Sequence, residues 1–192
     1  MKKFLILIIV VVIIISAIII GHLVTRPNTS DQVKETPKSY IYTDVDKEVT
    51  INGKKEYDLE QNTNNTDCMI DLSGKNSFRL LVSKIDDVES KTLNVVANAD
   101  KELYVKNYNE VTEVSETIPG MIDNKESFSY SFKFIDAAST KSLVMDVHYV
   151  RVNDKTYVID IIHLAESEND YTEEIGYLLS NMKIGEETIT TE

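Results

Sequence analysis

The stretch that decides the fold is MDVHYVRVNDKTYVIDIIHLAE, Met145–Glu166. Two runs rich in β-branched and aromatic residues, Leu143–Val152 and Thr156–Leu164, flank Asn153-Asp154. Such residues suit a pleated, half-buried surface, and a short polar pair between two such runs reads as a hairpin turn. The register follows from the turn length. A strict two-residue turn pairs Val152 with Lys155 and sets His148 opposite Ile159. A three-residue loop instead sets His148 opposite Asp160, a cross-strand ion pair. A slip of one residue sends every side chain to the other face, so the two alternatives differ in chemistry as well as in packing.

Working outward, Phe128, Tyr130, Phe132 and Phe134 alternate with Ser129, Ser131 and Lys133, the period of a half-buried strand. After the hairpin comes DYTEEIGYLLSNMKI, 170–184. Asp170 with Glu173 three residues on forms a capping box, and Ile175, Leu178, Leu179 and Met182 give the helix its apolar stripe. Met182-Lys183-Ile184 suits a short closing strand. Between 87 and 115, Leu93, Val96, Ala97, Leu103, Tyr104, Tyr108 and Val111 recur at three and four, fitting one or two helices with a break near Asp100. Pro119-Gly120 ends that segment. Nearer the N-terminus, Tyr40–Tyr42, Val49–Ile51, Lys54–Leu59, Cys68–Leu72 and Phe78–Ile85 suit strands, with Asn52-Gly53 as a hairpin signal. The expected fold is α+β, an antiparallel sheet covered by helices.

On the hairpin and the 170–184 segment together, residues 127–184 resemble the C-terminal half of the PsbP-like family. The resemblance implies a PsbP-like sandwich and an accessory or binding role. It carries over no functional residue.

The chain has 192 residues with 20 Lys+Arg and 32 Asp+Glu. Five of those bases and two of those acids fall in residues 1–39, leaving 15 and 30 for 40–192, a net of −15. So acidic a domain repels phosphate backbones, which argues against nucleic acid. Phe4 to Ile20 is apolar except for Ser16, and the run continues to Val24. At 1.5 Å per residue, about 21 residues span roughly 30 Å, one bilayer core. Lys2 and Lys3 precede it, which places the N-terminus in the cytoplasm and the domain outside. The run is long for a signal peptide and lacks a small-x-small pair, so it reads as an uncleaved signal anchor in a single-pass membrane protein. Residues 25–39, with two prolines, read as an extended polar linker, and 40–192 as the extracytoplasmic domain. Bases that are nearly all Lys, with abundant Asn and Ile, suggest an AT-rich Gram-positive bacterium.

Candidate chemistry is sparse. Asp146, His148 and His163, with Asp160 nearby in sequence, are the candidate metal ligands, since two imidazoles and a carboxylate on a rigid sheet suit a transition metal. Cys68 is a lone thiol without a family signature around it. Asp44, Asp46 and Glu48 begin like a calcium loop, but Val49 stands where glycine is needed and Lys55 where the bidentate Glu is needed. No GxSxG, SxxK, GxGxxG or P-loop is present. No cofactor and no enzymatic activity are expected. The expected function is that of a membrane-anchored extracytoplasmic accessory domain acting by protein–protein contact at the cell envelope. The alternative is a small-ligand or metal-binding domain with a pocket between sheet and helix.

Overall fold

The computed structural model describes residues 39–59, 68–75, 78–85, 91–166 and 171–185. The anchor, most of the linker and the Asp170 cap expected from sequence lie outside the described residues. Among those described, no helix is long and apolar enough to cross a membrane.

The hairpin forms as a strict two-residue turn. Strands β8 (Ser142–Val152) and β9 (Lys155–Leu164) pair from Val152↔Lys155 to Leu143↔Leu164, and His148 faces Ile159. Asn153 takes a φ of 56°, a conformation asparagine tolerates better than most residues. On either side of this hairpin stand β5 (Arg79–Ile85), against β9, and β7 (Lys125–Ile135), against β8. With β3 (Asp58–Leu59), β4 (Cys68–Ser73) and β6 (Ile118–Ile122) they form a seven-stranded antiparallel sheet of order β3-β4-β5-β9-β8-β7-β6. A second sheet holds β1 (Ser39–Thr43), β2 (Val49–Lys54) and β10 (Met182–Ile184), with β2 in the middle. Helix α1 spans Leu93–Asn107 and α2 spans Thr172–Ser180.

Two local expectations are corrected. Asn52-Gly53 is no turn, because β2 runs through it to Lys54. A Cβ on Gly53 would stand 3.1 Å from the Tyr57 ring and 3.3 Å from Leu178, so the glycine serves close packing rather than chain reversal. Nor is the pair Pro119-Gly120 what ends the helical segment, since α1 already stops at Asn107. The pair lies inside the edge strand β6, where a residue without an N–H is tolerated. The turn at this end is Asp123-Asn124, both with positive φ, as a tight hairpin requires.

The large sheet is covered diagonally. On one face, Ile70, Leu72, Leu80, Val82, Tyr157, Ile159 and Ile161 bury themselves against Tyr42, Val49, Ile51, Leu178, Met182 and Ile184 of the small sheet and α2. This cover lies over β4, β5 and β9 and reaches Val150 of β8 and Ile122 of β6 at one end. On the other face, α1 lies over β7 and β8, and Leu93, Val96 and Ala97 pack with Tyr130, Phe132, Met145, Val147 and Tyr149. Helix α1 is one unbroken helix. Asp100 does not break it because its carboxylate faces inward and accepts the Tyr149 hydroxyl at 3.1 Å. The first half of α1 is therefore held by apolar burial, and the second half by the Tyr104 ring against Phe132 together with hydroxyl–carboxylate contacts.

The same accounting predicts opposite outcomes for two glycines. Gly53→Val should destabilise the chain by about 1–3 kcal/mol through overpacking against Tyr57. Gly176→Ala, with nothing within 4 Å of the added methyl on α2, should stabilise it by up to about 1 kcal/mol. Thermal melts of the two full-length variants in the same detergent check the sign of each.

Candidate functional site

Diagonal cover leaves two half-open quarters of the large sheet. Strand alternation decides which side chains stand in each. The first quarter lies on the small-sheet face, over β7 and β8. It carries Ser129, Ser131, Asp146 and His148, with His163 from β9 at its margin. All three residues expected to bind a metal thus share one face.

They do not converge. His163 pairs with Val144, four residues along β8 from His148, a separation of about 13 Å at 3.3 Å per residue. Asp146 lies between and reaches only His163, at 3.4 Å from Nε2 to Oδ2. Among the described residues, no three His, Cys, Asp or Glu side chains come together as a metal set. His148 is held apart, with Nε2 buried and without a hydrogen-bond partner. Burial pushes its pKa down, against a weaker upward pull from Asp146. His163 behaves oppositely. Burial lowers its pKa, but the hydrogen bond to Asp146, the Leu164 carbonyl and the Asp146 charge together raise it above the ordinary value. Its ring also lies 5.0 Å from that of Tyr171.

The calcium-like residues are structural. Asp44 Oδ1 accepts the Val49 N–H at 2.6 Å, and Oδ2 accepts the Asp46 N–H at 2.9 Å, so Asp44 builds the β1–β2 turn. Glu48 accepts from Lys84, Lys155 and the Tyr157 hydroxyl. The Lys155 hydrogen bond in particular holds its pKa down to about 2. A cleft of about 490 Å³ opens beside them, lined by Lys47, Glu48, Asn153, Asp154, Lys155 and Gly185 among others. It sits at the turns of the two sheets, not between sheet and helix, and its charges are of both signs.

The second half-open quarter lies on the α1 face, over β4, β5 and β9. Here Asp71, Arg79, Leu81, Ser83, Asp160 and Ile162 point the same way. All but Asp71 are only partly covered, whereas Leu80 and Val82, on the opposite face of β5, are fully buried. Arg79 holds Asp71 by two contacts, Nε to Oδ1 at 2.9 Å and Nη2 to Oδ2 at 2.6 Å. Asp71 is 1 % exposed, so this fork supplies the countercharge a buried carboxylate requires.

Asp160 has no such partner. Its Oδ2 accepts the Tyr104 hydroxyl of α1 at 3.1 Å, while Oδ1 is buried and accepts nothing. Burial raises its pKa to about 6, against a downward pull from the Tyr104 hydrogen bond and with a further upward push from Asp100. Tyr104 stacks on Tyr108 at 5.7 Å and 11°, forming an aromatic wall beside the carboxylate. Cys68 belongs to the same quarter, where burial pushes its thiol pKa up with help from Asp71, so it is held as the unreactive thiol rather than the nucleophilic thiolate. The described residues place no histidine on this face of β8 or β9, since His148 and His163 both stand on the other.

Sequence reading named Asp160 beside the metal candidates and as an alternative partner for His148. The observed register puts the two on opposite faces. Tyr104, Tyr108, Asp71 and Arg79 were not legible as a site, although a charge at Asp160 inside the run TYVIDIIHL was the available signal. A carboxylate there interrupts a strand whose neighbours are nearly all apolar, and buried polar groups demand partners.

No family model matches the sequence, and no curated protein matches it by sequence. Solved structures do match in fold. The chain is similar to cyanobacterial PsbP (CyanoP) of Synechocystis sp. PCC 6803, with TM-score 0.57 and 9 % identity over 82 % of this chain and 99 % of that one. It is similar to the Ran-binding protein Mog1p of Saccharomyces cerevisiae, with TM-score 0.52 and 9 % identity over 78 % and 96 %. It is similar to LpqN, described as involved in cell envelope biogenesis of Mycobacterium tuberculosis, with TM-score 0.50 and 8 % identity over 78 % and 91 %.

Two titrations test the geometry. Asp160 has a folded pKa of about 6 above an unfolded value of 3.8, so its protonated form favours the native state. That contribution is present below the unfolded value and lost as pH rises through about 6. Asp160→Asn should therefore stabilise the chain at pH 7.5 by on the order of 2 kcal/mol, with the difference vanishing below about pH 4. Denaturant melts across that range would refute this if the variant were weaker at every pH. His163 has a raised folded pKa, so the Asp146 pair stabilises below the unfolded value of 6.5 and is lost as pH rises through the folded one. In Asp146→Asn the His163 imidazole should titrate below its wild-type midpoint when followed by NMR; an unmoved midpoint would show that the pair does not form.

The sequence matches no family model, but the chain has a PsbP-like α+β fold, an antiparallel seven-stranded sheet covered by a three-stranded sheet and two helices.

Proposed function

We propose that the chain is a membrane-anchored extracytoplasmic accessory domain that acts by protein–protein contact at the bacterial cell envelope, without turnover of a substrate. The observation that carries this reading is the half-open quarter over β4, β5 and β9. This quarter leaves Arg79, Leu81, Ser83, Asp160 and Ile162 partly covered, on strands β5 and β9 whose mutual pairing is continuous. A rigid, mixed polar and apolar surface of this kind suits a protein partner better than an enclosed small molecule. The apolar run from Phe4 to Val24, preceded by Lys2 and Lys3, supports the anchor and the orientation. The net charge of the domain supports a life away from nucleic acid and from anionic lipid. Among proteins of this fold, Mog1p is a Ran-binding protein and LpqN is involved in cell envelope biogenesis. The separation of His148 from the Asp146–His163 pair favours this reading over metal binding.

Affinity capture of the full-length chain from native membranes in mild detergent tests the proposal, with residues 1–39 alone as control. A protein enriched only by the full-length chain is expected. Ser83→Tyr, which adds bulk to the half-open quarter without charge, should reduce that enrichment at least tenfold. Equal enrichment by the anchor control and by the full-length chain would sink the reading.

A further inference from the structure

We infer that the recess bounded by Asp160, Tyr104, Tyr108 and the Arg79–Asp71 pair receives a basic side chain, lysine or arginine, of a protein partner. The inference rests on the protein-contact reading above and names the chemistry of the contact. Three observations carry it.

The first is an unmet acceptor. Asp160 Oδ1 is buried and has no hydrogen-bond partner, although its other oxygen is fixed by Tyr104. A buried acceptor left unpaired costs stability, and a donor that the carboxylate meets by a small shift on binding would remove that cost. The second is charge. Arg79 is committed to Asp71 through both of that carboxylate's oxygens, so the pair is locally neutral. Tyr104 and Tyr108 stand beside the recess as neutral hydroxyls, their pKa values both raised by burial. Asp100, on α1, adds a second negative charge at longer range. The recess as a whole is therefore negative, and only a cation or a neutral donor complements it. The third is the wall. Tyr104 and Tyr108 stack nearly parallel at 11°, and Lys101 already approaches the Tyr130 ring at 5.8 Å. Rings of this kind attract ammonium and guanidinium groups through their quadrupole, and the aliphatic stem of such a side chain can lie on Leu81 and Ile162. A neutral donor gains neither the charge nor the ring attraction.

The probe is a fluorescent peptide, Gly-Lys-Gly-Lys-Gly, titrated by anisotropy into the full-length chain in detergent micelles. Its control replaces each lysine with norleucine. Because the whole domain is acidic, two variants of equal charge separate site from field. Asp160→Asn removes the acceptor in the recess, and Asp146→Asn removes one charge on the opposite face. Asp160→Asn should weaken binding of the lysine peptide about tenfold, Asp146→Asn less than twofold, and the norleucine peptide should bind at least tenfold more weakly. Equal weakening by the two variants would reduce the attraction to diffuse charge and overturn the inference. So would equal binding of the norleucine peptide, or no binding of the lysine peptide at millimolar concentration. The membrane capture separates the two levels. If Ser83→Tyr loses the captured protein and Asp160→Asn keeps it, the contact surface stands and the basic-side-chain chemistry falls.

Discussion

Everything in the domain depends on the register of one hairpin. Val152↔Lys155 closes a two-residue turn, and from that pair the alternation of side chains is fixed for the length of both strands. Tyr157, Ile159 and Ile161 then face the small sheet, while Val158 and Asp160 face the α1 side. One residue more in the loop would exchange these sets. Three fully buried apolar side chains would turn toward the half-open face, and Asp160 would enter the closed core. At roughly 1.5–3 kcal/mol for each buried apolar side chain, together with the cost of a carboxylate in an apolar core, that exchange is comparable with the total stability of an ordinary domain. The turn chemistry at Asn153 and the apolar pattern therefore enforce the same register independently.

The second constraint is the diagonal placement of the covers. Neither α1 nor the small sheet is wide enough to close a seven-stranded face, so each leaves its complement open. The open quarters are where the polar side chains of the sheet collect: Ser129, Ser131, Asp146 and His163 on one, Asp71, Arg79, Ser83 and Asp160 on the other. The two quarters differ in how their charges are met. Asp146 has His163 and the buried Asp71 has a two-pronged arginine, so both carboxylates have a countercharge. Asp160 has one tyrosine hydroxyl for two oxygens. That difference, not the number of acids, distinguishes the α1-side quarter.

The sequence made the strands, the strict turn and the PsbP-like class legible because each rests on local pattern. Phe128–Phe134 alternates, and Tyr157–Ile161 is β-rich between turn residues, so neither needs knowledge of distant contacts. Asn52-Gly53 misled for a non-local reason. The pair carries a strong turn signal, but Tyr57 and Leu178 pack over Gly53, and Asn52 donates its N–H to the Asn181 carbonyl, so tertiary contacts hold it extended. The break expected at Asp100 failed similarly, since its inward partner Tyr149 lies 49 residues away. The metal candidates show the limit most directly. Register placed Asp146, His148 and His163 on one face, as expected. Convergence needed a distance along the strand, and four residues proved too far. Tyr104 escaped notice because its periodicity marks it as a core residue, while its hydroxyl does the polar work.

Helix α1 joins stability to recognition at Asp160. Its C-terminal half contributes no fully buried apolar residue, since Leu93, Val96 and Ala97 all lie in its first half. What fixes that half is the Tyr104 ring against Tyr130 and Phe132, with the hydrogen bonds of Tyr149 to Asp100, Lys101 to the Ser115 carbonyl, and Tyr104 to Asp160. Exposed polar contacts between long side chains are worth little, but the hydroxyl–carboxylate bonds here are partly buried and so are stronger. An apolar residue at 160 would anchor the strand better and would lose the Tyr104 contact. A paired carboxylate would keep the contact without leaving an acceptor unmet. The arrangement observed does neither. It retains a carboxylate whose charge the fold disfavours, pins it by one oxygen to a helix, and leaves the other unmet. A group held in that state favours any partner that can supply the missing donor, and the energy released on binding comes from relieving a cost already present in the free domain.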